Sequence, residues 1–280
     1  MKQVSANVIK NEQILLELER PGARSILSSW IIWLRCPEIA REAKPGQFVM
    51  VSCGEECTLP RPFSIHQVND KGIALLFQVV GKGTAWLSQR QTSDDVDIFG
   101  PLGNGFSIYP TSNNLLLVAG GIGIAPLRFL ADEAVQQGKQ TTLLLGASSA
   151  VRLLPFPEDS SNHGLLTDGI LPWKINIAKV TDDGSEGYKG LVTDLIVDYI
   201  DRVDQIFACG PSPMYKTMAQ MPELKDKPVQ VSLEVGMACG LGVCYGCSIR
   251  TKTGLKQVCK DGPVFNLEDI LWDELLVAGV

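Results

Sequence analysis

Along the first hundred residues, apolar positions come in short runs broken by turn signals. Gln47 to Ser52 follows Pro45-Gly46 and reads as a strand, and Ile73 to Val80 follows Asn69-Asp70-Lys71-Gly72 and reads as another. Short strands between Gly/Pro turns predict an antiparallel β-barrel or sandwich. The pattern changes near residue 111. Leu115 to Ala119 is a continuous apolar run, suited to a strand buried on both faces of a parallel sheet. After a glycine cluster, a helix is predicted from Pro126 to Gln137, with proline in its first turn and Gly138 at its stop. Thr141 to Leu145 reads as a strand, Leu191 to Val203 has helical spacing, Gln205 to Cys209 is a strand and Ser212 to Gln220 a helix. This alternation predicts a parallel α/β sheet. It stops near Val231. The expected architecture is therefore a β-barrel over 1–110, a parallel-sheet α/β domain over 111–230 and a small metal-binding segment over 231–280.

Composition narrows the choice of partners. The 280 residues are 45% hydrophobic, enough for sizeable cores, and the formal net charge of -6, with no Lys/Arg run, argues against a nucleic-acid partner. Met1 to Gln13 is polar and lacks the apolar core of a signal peptide. Ile26 to Leu34 is interrupted by serines and too short to span a bilayer. A cytoplasmic protein with no membrane partner is expected.

The cysteines carry the most specific signal. Cys36, Cys53, Cys57 and Cys209 are scattered, whereas Cys239, Cys244, Cys247 and Cys259 crowd together in the spacing C-x4-C-x2-C followed by a fourth. That is the spacing of plant-type [2Fe–2S] sites. Gly240, Gly242 and Gly246 let the loop bend tightly and bring backbone N–H groups to anionic sulfurs. Zinc sites prefer paired C-x2-C knuckles, and only one is present. A thioredoxin-like Cys244-x-x-Cys247 pair leaves Cys239 and Cys259 unexplained.

Two further segments carry phosphate-binding chemistry. Arg61-Pro62-Phe63-Ser64 is followed by Gly81-Lys82-Gly83-Thr84. An arginine can grip phosphate bidentately, and a glycine turn opening a helix presents N–H groups to a second phosphate. Thr84 is expected to cap that helix and reach phosphate oxygen, and Phe63 and Ser64 to lie along an isoalloxazine ring. The second segment, Val118-Ala119-Gly120-Gly121-Ile122-Gly123-Ile124-Ala125-Pro126, joins a predicted strand to a predicted helix, where α/β sheets bind ligands. It is not G-x-G-x-x-G, but its glycines suit a pyrophosphate. Cys209-Gly210-Pro211-Ser212-Pro213-Met214 is a second such loop, and Cys209 at its strand end can shape a hydride-transfer pocket. Of the histidines, His66 and His163, the first reads as a surface or turn residue beside the flavin motif.

In this order, these motifs resemble the ferredoxin–NADP reductase superfamily. Glu234 to Cys247, Val258 to Phe265, Gly100 to Phe106, and Thr181 to Ser185 with Gly187 and Gly190 are similar to a narrower family, the electron-transfer subunits of type 1B dihydroorotate dehydrogenase. The resemblance covers nearly the whole chain. It implies FAD on the barrel, held by Arg61, Pro62, Phe63, Ser64, Leu76, Phe77, Gln78, Gly83 and Thr84, although the family often has arginine where Gln78 stands. It implies NAD(H) at Gly120, Gly121, Gly123, Pro126, Cys209, Gly210, Pro211 and Met214, and a [2Fe–2S] cluster on Cys239, Cys244, Cys247 and Cys259. Ser148, Ser149 and Arg152 leave room for the 2′-phosphate of NADP. The implied partner is an FMN-containing dihydroorotate dehydrogenase catalytic subunit of pyrimidine biosynthesis, in a heterotetramer of two of each, with Val243 and Tyr245 as exposed apolar contacts. No general acid or base is called for, because the cofactors do the chemistry. The alternative is a diaphorase subunit of a hydrogenase, a sulfide dehydrogenase or a ferredoxin–NADP oxidoreductase. Some of the last replace the first cluster cysteine by aspartate, which Cys239 does not match. A colourless zinc module is the remaining reading, and it leaves the nucleotide loops without a purpose.

Overall fold

The computed structural model describes residues 1–16, 28–154 and 175–275. Strands β1 (Lys2–Leu16), β2 (Ser28–Arg35), β3 (Phe48–Val51), β4 (Arg61–Val68), β5 (Gly72–Gln78) and β6 (Asp95–Leu102) close into an antiparallel barrel in the order β1-β2-β5-β4-β3-β6. Short helices α1 (Pro37–Ala40) and α2 (Lys82–Ser88) decorate it. The polar N-terminus forms the long strand β1, which hydropathy did not reveal. It pairs with β2 on one side and β6 on the other, so its ladder is fixed by neighbours, and Ala6 and Val8 are its deeply buried residues. Alternation along β3 sends Val49 and Val51 into the barrel and Phe48 and Met50 outward into a second core.

The second unit holds β7 (Asn114–Gly120), α3 (Ile124–Gln136), β8 (Gln140–Ala147), β9 (Asn176–Thr181), β10 (Tyr188–Lys189), α4 (Ile196–Tyr199), β11 (Gln205–Cys209), α5 (Ser212–Gln220) and β12 (Val229–Ser232). The predicted β11 and α5 match these bounds. The predicted helix over 191–203 is instead three short pieces, α4 between two 3₁₀ turns, and α3 begins at Ile124 behind another at Gly121–Gly123. The sheet order is β10-β9-β8-β7-β11-β12-β15, all parallel except β15 (Val264–Asn266). The chain walks outward from β7 to β10, then restarts at β11 on the other side of β7. The switch point of this doubly wound sheet thus falls between β7 and β11.

The C-terminal segment adds hairpin β13 (Ser248–Thr251)–β14 (Gly254–Gln257) and α6 (Val258–Asp261) before β15. The division at 110/111 falls between β6 and β7. The one at 230/231 falls inside β12, and β15 returns to pair with that strand, so the cysteine segment is stitched into the sheet. The barrel is joined to the rest by shared cores. Ile31, Ala74, Leu76 and Phe106 of the barrel side pack with α3 and the sheet, and Phe129 of α3 enters the barrel core. Phe106 meets Phe207 edge-on, with ring centroids 5.6 Å apart. Phe48, Met50 and Leu102 share a core with Cys247 and Cys259.

Phe129 is therefore the helix's anchor in the barrel. Phe129→Ala is expected to lower the stability of the full chain by about 3–5 kcal/mol, read as a lower urea midpoint; an unchanged midpoint would show that the two units hold without it.

Candidate functional site

The two glycine loops leave adjacent parallel strands at the switch point, with Ala119 of β7 level with Cys209 of β11. They touch. A Cβ at Gly120 would lie 2.7 Å from Pro211 and 3.2 Å from the Met214 sulfur, and one at Gly123 would fall 1.9 Å from the Cys209 carbonyl oxygen. A Cβ at Gly121, with φ +56°, would meet nothing within 4 Å. The glycines thus divide by role: Gly120, Gly123 and Gly210 let the loops close on each other, and Gly121 fronts open space. Pro126 is buried in the first turn of α3. Tyr215 ties the second loop down: its hydroxyl accepts the Gly210 N–H at 2.8 Å and donates to the Ser232 carbonyl at 2.6 Å, while its ring stacks on Trp272. Ser149 and Thr193 are buried with hydroxyl oxygens that have no hydrogen-bond partner among the described residues, and the buried Ser148 oxygen likewise has none.

Cys209 is buried at the end of β11. Burial, then the nearby Glu234 carboxylate, raises its thiol well above the ordinary range. Its Sγ lies 4.0 Å from Glu234 Oε1. Desolvation by surrounding protein raises the Glu234 carboxyl too, although solvent reaches the side chain. Glu234 was not among the expected site residues. The signal available was its place just after β12, level with the strand ends that carry the loops.

On the barrel, β4 pairs with β3 so that Ser64 stands opposite Phe48 and Pro62 opposite Met50. Pro62 and Ser64 share the outer face with Phe48 and Met50. Phe63 points into the barrel core and meets Phe77 edge-on, centroids 5.8 Å apart. The expectation that Phe63 and Ser64 both lie along one ring is corrected: alternation puts their side chains on opposite faces. Leu76 and Phe77 divide likewise, Leu76 outward and Phe77 inward, with Gln78 half-buried at the strand end. Arg61 Nη1 donates to the Leu59 carbonyl at 2.7 Å, and its stem runs beside Gly83. Thr84 stands at the third helical position, not the cap. Its hydroxyl accepts the Val80 and Gly81 N–H groups at 2.9 and 3.2 Å and donates to the Gly81 carbonyl. With those bonds made, Thr84 shapes the turn rather than offering an O–H to phosphate. His66 is no surface residue; it is buried on β4 and bonded to the Ala125 carbonyl of α3. His163 lies outside the described residues.

The four clustered cysteines are arranged as two pairs. Cys239 is within side-chain hydrogen-bond reach of Cys244, and Cys259 of Cys247. Every sulfur has a backbone N–H on it: Leu241 on Cys239 at 3.4 Å, Gly246 on Cys244 at 3.5 Å, Cys259 on Cys247 at 3.4 Å and Gly242 on Cys259 at 3.2 Å. Burial works against a thiolate at Cys239, but the Leu241, Val243 and Cys244 N–H groups outweigh it and bring the thiol below its ordinary value. Cys247 and Cys259 are buried and Cys244 is exposed. Among the described residues, no three His, Cys, Asp or Glu converge on one ion position. A [2Fe–2S] cluster asks for something else, two thiolates on each of two irons, and the paired thiols with N–H donors fit that donor set. Gly240 packs against the barrel: its Cβ would lie 2.6 Å from Met50. Val243 (71% exposed) and Tyr245 (64%) stand out into solvent around Cys244.

The comparisons agree with this arrangement. Residues 234–271 match the model of the iron–sulfur cluster binding domain of dihydroorotate dehydrogenase B, and residues 117–220 match the oxidoreductase NAD-binding domain. The chain is 40% identical to the electron transfer subunit of dihydroorotate dehydrogenase B (NAD(+)) from Desulforamulus reducens, over 85% of this chain and 90% of that one. It is 35% identical to the same subunit from a Geobacillus species, over 94% and 100%. The chain belongs to the family of dihydroorotate dehydrogenase B electron-transfer subunits. As such it is an NAD-dependent oxidoreductase subunit that carries electrons through an iron–sulfur centre. A solved NADH-dependent reduced ferredoxin–NADP oxidoreductase, described for flavin-based electron bifurcation, superposes with TM-score 0.80 at 30% identity, covering 98% of this chain and 92% of that one. Ferredoxin–NADP+ reductase from Plasmodium falciparum, at 17% identity and TM-score 0.56, shares the fold, covering 83% and 96%. No helix among the described residues of this dehydrogenase-family subunit is long and apolar enough to cross a membrane.

The raised Cys209 thiol gives a direct test. In the native protein at pH 8, Cys209 is expected to be alkylated at least about tenfold more slowly than in the urea-unfolded chain, followed by peptide mass spectrometry.

Proposed function

We propose that this chain takes a hydride equivalent from NADH on its sheet and delivers single electrons through its C-terminal loop to an FMN-containing dihydroorotate dehydrogenase catalytic subunit, in a cytoplasmic heterotetramer of two of each. One observation carries the reading: Met50 lies between the outer face of β4 and the cluster loop, cross-strand from Pro62 and packed on Gly240. The flavin strand and the cysteine loop are thus separated by one side chain. When bound, FAD accepts an electron pair from the nicotinamide and the [2Fe–2S] cluster releases electrons singly.

The residues divide the work. Arg61 and the Gly83-Thr84 turn are assigned the FAD phosphates, and Pro62 and Ser64, with the backbone of Phe63 and of Leu76 to Gln78, the flavin. Gly121, at the open front of its loop, is assigned the nucleotide pyrophosphate, with Gly120, Gly123, Gly210, Pro211 and Met214 holding the two loops together behind it. Cys209 and Glu234, 4.0 Å apart at the strand ends, would line the nicotinamide's place. Cys239 and Cys244, within reach of each other, would hold one iron, and Cys247 and Cys259 the other. The orphaned hydroxyls of Ser148, Ser149 and Thr193 beside the nucleotide loops suit ribose hydroxyls. Val243 and Tyr245, exposed around Cys244, suit an apolar partner surface.

The likeness to the ferredoxin-linked oxidoreductase supports a second reading, in which ferredoxin accepts the electrons. Two experiments decide. Dihydroorotate and NAD+ are added anaerobically to the complex purified with whatever stays bound. NADH formation with FMN present supports the first reading; its absence from a sample containing FAD, iron and sulfide supports the second. Cys244→Ser is expected to abolish reduction of the partner while NADH still bleaches the flavin. Partner reduction that survives this change would defeat the relay.

Gly123→Ala has its own expected outcome. The Cβ has no space beside the Cys209 carbonyl, so the loops must part. The dissociation constant for NADH is expected to rise about tenfold or more, measured by titration calorimetry, with FAD content unchanged.

A further inference from the structure

We infer that His66 is a positioning residue for hydride transfer: its hydrogen bond to the Ala125 carbonyl fixes the nucleotide loop against the flavin-binding face of β4. The inference rests on the flavin and nucleotide assignments proposed above.

His66 sits at the irregularity of the β4–β5 ladder between Ile65 and Gln67, and its bond to α3 puts it on the outer side of β4 with Pro62 and Ser64. Its Nδ1 lies 2.9 Å from the carbonyl oxygen of Ala125. A carbonyl can only accept, so Nδ1 carries the proton and the tautomer is set. Ala125 is the second residue of α3, directly behind the loop that ends at Gly123. The bond therefore runs from the flavin strand to the first turn of the helix that opens the nucleotide loop.

The surroundings make the bond persistent. The ring is 4% exposed, and burial pushes the imidazole down to about 3, with the buried Arg128 cation opposing protonation further. Arg128 is itself paired with Asp132 at 3.2 Å. The imidazole stays neutral throughout the working pH range and the bond does not switch. Alongside it, α3 meets the barrel through apolar packing, with Phe129 in the barrel core and Ile31, Ala74 and Leu76 against the helix. Apolar burial resists separation but is non-directional. The hydrogen bond gives the helix a fixed angle and depth. An error of about 1 Å in the placement of reacting groups costs on the order of a hundredfold in rate.

The test compares wild type, His66→Leu and His66→Asn as full chains with their bound flavin, by stopped-flow reduction with NADH. Leucine keeps bulk and removes the donor. The asparagine amide nitrogen is as many bonds from Cα as Nδ1 and restores it. His66→Leu is expected to slow the limiting rate of flavin reduction about tenfold or more, with KM for NADH changed by less than about twofold. His66→Asn is expected to recover most of the rate. A His66→Leu limiting rate equal to wild type, or a His66→Asn as slow as His66→Leu, overturns the inference. Wild-type FAD that NADH fails to reduce defeats the underlying assignment instead, and is seen before any variant is made.

Discussion

The outer face of β4 has to serve three neighbours at once, and the rest of the molecule is arranged around that demand. A strand offers every second residue to a given face; Pro62 and Ser64 follow that rule, and His66, at the bulge between Ile65 and Gln67, reaches α3 from the same side. Pro62 lies beside Met50, on which Gly240 of the cysteine loop packs. His66 is bonded to the first turn of α3. Ser64 stands between them. Phe63, Ile65 and the facing Phe77 fill the barrel on the other side, which makes the strand rigid where position matters. The outer face of the barrel, the first turn of α3 and the cysteine loop thus meet along one strand.

Closure of the sheet loops follows from the switch point. β7 and β11 are parallel neighbours, and α3 and α5, which follow them, pack into different cores, so their C-terminal ends form the switch point. The two loops there close on each other as far as backbone allows only because Gly120, Gly123 and Gly210 have no side chains to interpose. Tyr215 holds that geometry from behind, and its stacking on Trp272 couples the second loop to the C-terminal segment.

Much of this was legible in the sequence, because glycine, proline and cysteine spacing report backbone and ligand requirements directly. The loop at Gly120 to Pro126, strand β11, helix α5 and the cysteine spacing stand where the pattern put them. What was illegible depended on long-range partners. β1 is too polar to announce itself and exists because β2 and β6 flank it. β15 is three residues long and is a strand only because β12 offers an edge. The helical spacing of 191–203 broke into short turns against the sheet. His66 looks like a turn residue until α3 covers it, and Glu234 opens the cysteine-bearing stretch without announcing a role of its own; tertiary placement beside Cys209 sets it apart. The face that Phe63 occupies was deducible, since period two forbids sharing it with Ser64.

The cysteine loop shows why such a centre is built at the rim and not within the core. Two of its thiols, Cys247 and Cys259, are buried in the core shared with Met50 and Leu102. There, burial and the neighbouring Cys247 push the Cys259 thiol up to about 12. The other pair lies toward solvent, where N–H groups pull Cys239 the opposite way. A wholly buried loop would leave four anions uncompensated, and a wholly exposed one would lose its fixed distance to the barrel. Straddling the surface resolves the conflict: the inner pair is held to the barrel through the Met50 core, and the outer pair, ringed by the exposed Val243 and Tyr245, lies toward solvent.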